Sequence, residues 1–160
     1  DTVHYVTGAG CPKYAVAHFS QVEWKDGFTV PDSVEMVFEY PEGFVVRYGQ
    51  SFGNSGGRYL NVYGTRGTMD GSDWSWDGEW KLNGRDSGAP DKLGEGAKLP
   101  PVEGTPHMKN WLECLRSRQD PIAPMEAGYS QAVAGIMADL SNERGRRILY
   151  DPEKREVREG

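Results

Sequence analysis

Between Tyr14 and Trp24 the chain alternates, with Val16, His18, Ser20, Val22 and Trp24 on one side and Ala15, Ala17, Phe19, Gln21 and Glu23 on the other. Both sets hold apolar members, the pattern of a strand covered on both faces or lying at an interface. Asp26-Gly27 and Pro31-Asp32 punctuate the loop that follows. Ser33 to Tyr40 predicts a strand with Val34, Met36 and Phe38 on one face. Pro41-Glu42-Gly43 makes the turn and Phe44 to Phe52 returns, so residues 33–52 predict a β-hairpin. Beyond the glycine-rich stretch 53–57, Arg58 to Tyr63 predicts another strand, and Gly64-Thr65-Arg66-Gly67 turns tightly into Thr68-Met69-Asp70. Trp80 and Leu82 fit a short strand. Residues 71–104 otherwise lack periodicity and predict an irregular excursion over the surface.

The C-terminal third changes period. Thr105 is placed to cap a helix with Pro106 at its first position, and Met108, Trp111, Leu112 and Leu115 follow as one apolar stripe. Pro121 and Pro124 stop that helix. In the next, Tyr129, Ala132, Val133, Ile136, Met137 and Leu140 share a face, Gly145 ends it, and Arg144 and Arg146 meet the negative end of its dipole. Arg147 to Tyr150 is a last short strand. Strands first and long helices last predict an α+β fold over residues 1–160 as one domain: a mainly antiparallel, mixed and open β-sheet with helices packed on one face. Asp1 to Gly8 reads as the second half of a helix too short to persist alone. The expectation is a piece of a larger protein, cut inside or just before that helix.

Composition narrows the function classes. The 160 residues carry a net charge of −6, and five Trp, eight Tyr and five Phe argue against disorder. No apolar run is long enough for a membrane-spanning helix, and an acidic chain without a basic block argues against a nucleic-acid partner. Cys11 and Cys114 suggest neither a disulfide framework nor a metal site, and neither demand nor forbid an oxidising compartment.

Gly49-Gln50-Ser51-Phe52-Gly53 satisfies GxSxG, but the helix that should follow a nucleophilic serine is replaced by more glycine and another strand. Ser51 therefore reads as a sheet serine beside a glycine loop. Gly8-Ala9-Gly10-Cys11-Pro12-Lys13 starts like a dinucleotide fingerprint and then places Lys in the third glycine position, so it reads as a helix end followed by a turn. His4, His18 and His107 lack metal-ligand spacing, and no metal site is expected. Trp74, Trp76 and Trp80 fit either an indole surface for stacking on sugar rings or a ribbon covering the sheet or a subunit contact.

Five stretches, in order, resemble the C-terminal domain of the Gfo/Idh/MocA family of NAD(P)-dependent oxidoreductases. Asp1 to Gly8 is similar to the end of the family's D-x-x-x-H-x-x-D helix. Pro31-Asp32 with Phe38 to Gly43 resembles its hairpin, and Tyr63 to Thr68 its GT(K/R/E)GT turn. His107 to Pro121 is similar to its "H..nfldcirsrk.P" helix. Glu126 to Tyr129, Asn142 to Arg146 and Tyr150-Asp151-Pro152 complete the set, with Tyr129 standing where many relatives have His. Residues 71–104 are the unmatched gap.

The resemblance implies a missing N-terminal Rossmann domain that holds NAD or NADP, and a chain that binds no cofactor by itself and is inactive alone. It implies that Asp1 is the one remnant of the catalytic helix motif, orienting an acid–base His upstream or contacting a substrate hydroxyl. Substrate-binding candidates for a sugar or polyol are Tyr5, Arg47, Asn54 and His107. It also implies a homo-oligomer formed through the sheet. A carbohydrate-binding module and a non-catalytic interaction domain are the alternatives. A module of the first kind is mostly all-β, which the helix over 127–145 disfavours.

Overall fold

The computed structural model describes residues 2–54, 60–71, 80–100 and 104–160. They form two compact units: residues 1–54 with 106–160, and residues 55–105.

The first unit contains α1 (Thr2–Thr7), β1 (Tyr14–Ser20), β2 (Ser33–Glu39), β3 (Val45–Ser51), α2 (His107–Ser117), α3 (Met125–Arg144), β8 (Ile148–Asp151) and β9 (Glu156–Glu159). The second contains β4 (Leu60–Gly64), β5 (Gly67–Gly71), β6 (Lys81–Asn83) and β7 (Ala97–Lys98). The five strands of the first unit run in the order β3-β2-β1-β8-β9, every neighbouring pair antiparallel. The α+β architecture with antiparallel pairing is as the sequence predicts. The pairing is wholly antiparallel among the described strands, with no parallel pair.

The hairpin over 33–52 is present, paired from Ser33↔Ser51 to Glu39↔Val45. Strand β1 is shorter than its alternation suggests. It stops at Ser20 because the side chain of Asp32 takes the next backbone donors: the N–H groups of Val22, Glu23 and Trp24 donate to its carboxylate at 2.8, 2.7 and 2.7 Å. Asp32 is only 5% exposed, and these backbone bonds, from Val22 and Trp24 above all, hold its pKa below the ordinary carboxylate value. Because the folded pKa is depressed, the stabilisation is fully present above the unfolded value and is lost as pH falls through the folded one. Asp32→Asn is therefore expected to lower the unfolding midpoint at pH 7, with the gap to the wild type closing below about pH 4. Urea titrations from pH 2 to 7 read this directly, and a gap that did not depend on pH would contradict it.

Helix α3 lays Ser130, Val133, Met137, Ala138 and Ser141 against the sheet. The buried face is rotated from the apolar stripe read in the sequence, leaving Ala132 exposed and Ile136 at 52% exposure. Two serines take inward places, and Ser141 does so because the helix there meets polar backbone. Strand β1 pairs with β8 only at Tyr14↔Leu149 and Ala15↔Ile148. Past that point the Ala17 N–H donates to Ser141 Oγ at 3.0 Å and the Phe19 N–H donates to Asn142 Oδ1 at 2.7 Å. Ser141 Oγ in turn donates to the Arg146 carbonyl at 2.6 Å. The core under α3 is Ala15, Phe38, Val133, Met137, Ala138 and Ile148, joined at its edge by Ala9 and Tyr40. Gly145 closes the helix at φ 62°, the left-handed conformation that a glycine adopts without steric cost.

Among the described residues, no helix packs on the opposite sheet face. By strand alternation it carries Val16 and His18 of β1, Val37 and Glu35 of β2, and Val45 and Arg47 of β3. Val16, Val37 and Val45 are 50%, 46% and 65% exposed.

Helix α2 opens at His107 with Pro106 as the N-cap, one residue later than predicted, since Pro106 is extended (ψ 134°) and caps with no side-chain hydrogen bond. It ends on Arg118 at φ 59°, ahead of the two prolines. None of its residues is buried, and the predicted stripe of Met108, Trp111, Leu112 and Leu115 is 41–66% exposed.

In the second unit, β4-β5-β6-β7 form an antiparallel sheet. Its strand at 81–83 matches the short strand expected beside Trp80, and 97–98 adds a pairing that the irregular sequence concealed. Arg66 of the tight turn donates from Nε to the Asp91 carbonyl at 2.9 Å and pairs with its carboxylate at 3.1 Å. Gly84 is required by close approach, because a Cβ there would sit 1.8 Å from the Leu93 carbonyl oxygen.

Candidate functional site

Six elements and connections of the first unit bring ionisable and hydroxyl groups together. Helix α1 ends where the Gly8 N–H donates to the His4 carbonyl at 2.8 Å, and His4 points its Nε2 at Tyr40 Oη, 3.0 Å away. Tyr40 follows β2 and is only 3% exposed. Its ring stacks on Phe44 across the turn, centroids 4.6 Å apart. Cys11, in the connection from α1 to β1, directs Sγ to Ser130 Oγ of α3 at 3.8 Å. One residue earlier on α3, Tyr129 Oη lies 3.0 Å from Tyr150 Oη of β8. Arg155, in the β8–β9 turn, places its guanidinium 4.1 Å from the Tyr129 ring centroid and pairs with Glu126 at 3.3 Å.

Burial sets the protonation states. It pushes the Tyr40 phenol up to about 12, and it raises Tyr150 with help from the Tyr129 hydrogen bond. It also lowers the His4 imidazole. Around neutral pH Tyr40 and Tyr150 are thus protonated and His4 is biased toward its neutral form, beside the charged Arg155–Glu126 pair. His4 Nδ1 is buried with no hydrogen-bond partner among the described residues.

Two cavities, of about 250 and 230 Å³, flank Trp111 on α2. The first is lined by Trp111, Cys114, Leu115, Arg118, Gln119 and Pro121; His107 and Asn110 border the second. The Ile122 N–H donates to Asn110 Oδ1 at 2.8 Å, which folds the segment after α2 back along the helix.

The residues singled out in the sequence lie on separate elements. Asp1, Trp74 and Trp76 lie outside the described residues. Tyr5 is on α1, 80% exposed, next to His4. Arg47 is on the helix-free sheet face, its Nε 3.7 Å from Glu35. Asn54 is exposed beyond β3, and His107 begins α2 at the edge of the smaller cavity. Trp80 is half-buried, its ring against Gly71 of β5. Ser51 pairs with Ser33 as a sheet residue. Sequence reasoning missed the His4–Tyr40 and Tyr129–Tyr150 pairs. Their spacings of 36 and 21 residues follow no motif, and only the fold joins them.

The sequence matches no protein-family model and no curated protein. Solved structures do resemble the chain. An aldose-aldose oxidoreductase from Caulobacter crescentus, complexed with glycerol, superposes with a TM-score of 0.71 at 15% identity, over 92% of this chain and 43% of that one. An NAD-binding protein from Listeria innocua gives 0.64 at 20% identity, with the same coverage of 92% and 43%. An oxidoreductase from Agrobacterium radiobacter, in complex with NAD+, L-tartaric acid and magnesium, gives 0.64 at 14% identity, over 92% and 45%. The chain thus spans less than half the length of these structures. At such identities the likeness shows the fold alone: an α+β domain that recurs as part of these longer oxidoreductase and NAD-binding chains.

Proposed function

We propose that the chain is the substrate-binding and oligomerisation domain of an NAD(P)-dependent oxidoreductase acting on a sugar or polyol, working with a dinucleotide-binding domain seated on α2. The observation that carries this reading is the half-exposed stripe of Met108, Trp111, Leu112 and Leu115, on a helix none of whose residues is buried. An amphipathic helix gains its stability from covering such a stripe. A cofactor domain of the size by which the similar structures exceed this chain is a fitting cover.

The nicotinamide would exchange a hydride with the substrate carbon, and the acid–base groups would come from the dinucleotide side, with Asp1 orienting an acid–base His or contacting a substrate hydroxyl. This chain's residues bind and orient. His4, Tyr40 and the Tyr129–Tyr150 pair offer neutral donors and acceptors for hydroxyl groups, with Tyr5, Arg47, Asn54 and His107 as further candidates. A second copy pairs through the helix-free sheet face, where Val16 and Val37 lie beside the Glu35–Arg47 pair.

The test is calorimetric titration of NAD+ and NADP+ into the 160-residue chain, beside a longer polypeptide in which a dinucleotide-binding domain precedes residue 1. Binding and sugar- or polyol-dependent reduction are expected of the longer protein only. Cofactor-dependent turnover by the 160 residues alone would overturn the reading.

A further inference from the structure

Helix α1 is six residues long, and none of them is buried. So short a helix is marginal alone, and its contacts decide whether it persists. Val3 packs against the core. The Thr7 hydroxyl donates to the Val3 carbonyl at 2.7 Å and accepts from the Ala9 N–H at 3.2 Å, which closes the helix on itself. His4 joins it to the end of β2, with Nε2 3.0 Å from Tyr40 Oη and the two rings edge to face, centroids 5.8 Å apart. In either neutral tautomer one hydrogen serves that bond, while Nδ1 stays buried without a partner among the described residues. The imidazolium carries a hydrogen on both nitrogens. Its Nδ1–H would be a charged donor with no acceptor, a cost borne by the docked helix and not by one lifted into water.

We propose that the His4–Tyr40 contact is a pH-sensitive latch, which docks α1 while His4 is neutral and releases it when the imidazole takes up a proton. The surroundings supply no counter-charge. Tyr40 stays a phenol, pushed up to about 12 by burial, with Cys11 of the α1–β1 connection and Glu42 of the hairpin turn near it. The chain's own amino terminus adds to the lowering of His4, and α3, which also packs against α1, places no charge on it among the described residues. Because burial lowers the docked pKa, the released helix binds the proton more readily. Docking is therefore complete above the ordinary histidine value and weakens as pH falls below it. Release moves Tyr5, which neighbours His4, and Asp1 stands directly before α1 in the sequence. Its consequence for substrate binding rests on the proposed function, and the latch itself does not.

Amide hydrogen exchange of the 160-residue chain, followed by NMR from pH 5 to 7.5, tests the latch. Protection factors at Gly8 and Ala9, whose bonds close α1, should fall roughly three- to tenfold between pH 7 and 5.5, while amides of β1 and α3 keep theirs. His4→Phe keeps a ring against Tyr40 and cannot titrate, so its α1 protection should not change over this range. Tyr40→Phe keeps the ring on Phe44 and loses the hydroxyl, and should lower α1 protection at pH 7.5 by about two- to tenfold. Wild-type α1 protection that does not depend on pH overturns the proposal, as does a loss shared equally by α3. The amino terminus remains in His4→Phe, so a pH response that survives there places the switch elsewhere and overturns it too.

Discussion

Met137→Ala is expected to destabilise the first unit by about 2–5 kcal/mol and to lower its Tm by roughly 10 °C. Met137 is fully buried, in the core that α3 builds over β1 and β8 with Ala15, Phe38 and Ile148. Removing three heavy atoms there loses their transfer free energy, and a close-packed interior relaxes only partly into the void. Met137→Leu keeps most of the volume and should cost less than about 1.5 kcal/mol. Ile136→Ala, one residue earlier on the same helix, should stay within about 0.5 kcal/mol, because that side chain already stands half in water. Urea unfolding followed by circular dichroism compares all three. Equal costs at 136 and 137 would contradict the burial of α3 as described.

Trp111→Glu should give opposite results in two contexts. In the 160-residue chain Trp111 is 49% exposed between two open cavities, so a charge there meets water and the Tm should move by no more than a few degrees. In a longer protein with a dinucleotide-binding domain on α2, the same carboxylate would be buried without a partner, a change that costs several kcal/mol. Catalytic efficiency, read as kcat/KM, should drop there by about two orders of magnitude or more. Trp111→Phe, which keeps an aromatic face, should restore most of it. If the longer protein tolerates Trp111→Glu, α2 is not the seat of that domain.

Elements with one strong local signal were legible in the sequence. The hairpin over 33–52 has its alternation and its turn, and α3 has its period and its terminal glycine. What misled was any place where a side chain replaces backbone pairing. The alternation through Val22 and Trp24 continues past the end of β1, and Asp32 ends the strand from eight to ten residues away. The apolar stripe of α3 gave the wrong rotation because Ser130 and Ser141 are buried, Ser141 being needed for the amide of Ala17. The His4–Tyr40 pair could not be read, since a hydrogen bond across 36 residues leaves no periodic trace. Arg66 is the converse case. A turn motif known by resemblance proves to hold Asp91 within its own unit.

The bonds from Ala17 to Ser141 and from Phe19 to Asn142 also bear on misassembly. An amide on the flank of a strand is a template for a stray extended peptide, which can add itself and seed aggregation. Where β8 stops short, two helix side chains occupy those sites, so β1 offers no open ladder there. Strand addition is left to the outer edges of β3 and β9. On β9, Glu156, Arg158 and Glu159 put charge along a strand of only four residues, a poor template for further growth. The helix that builds the core thus also decides where the sheet is closed to intruders.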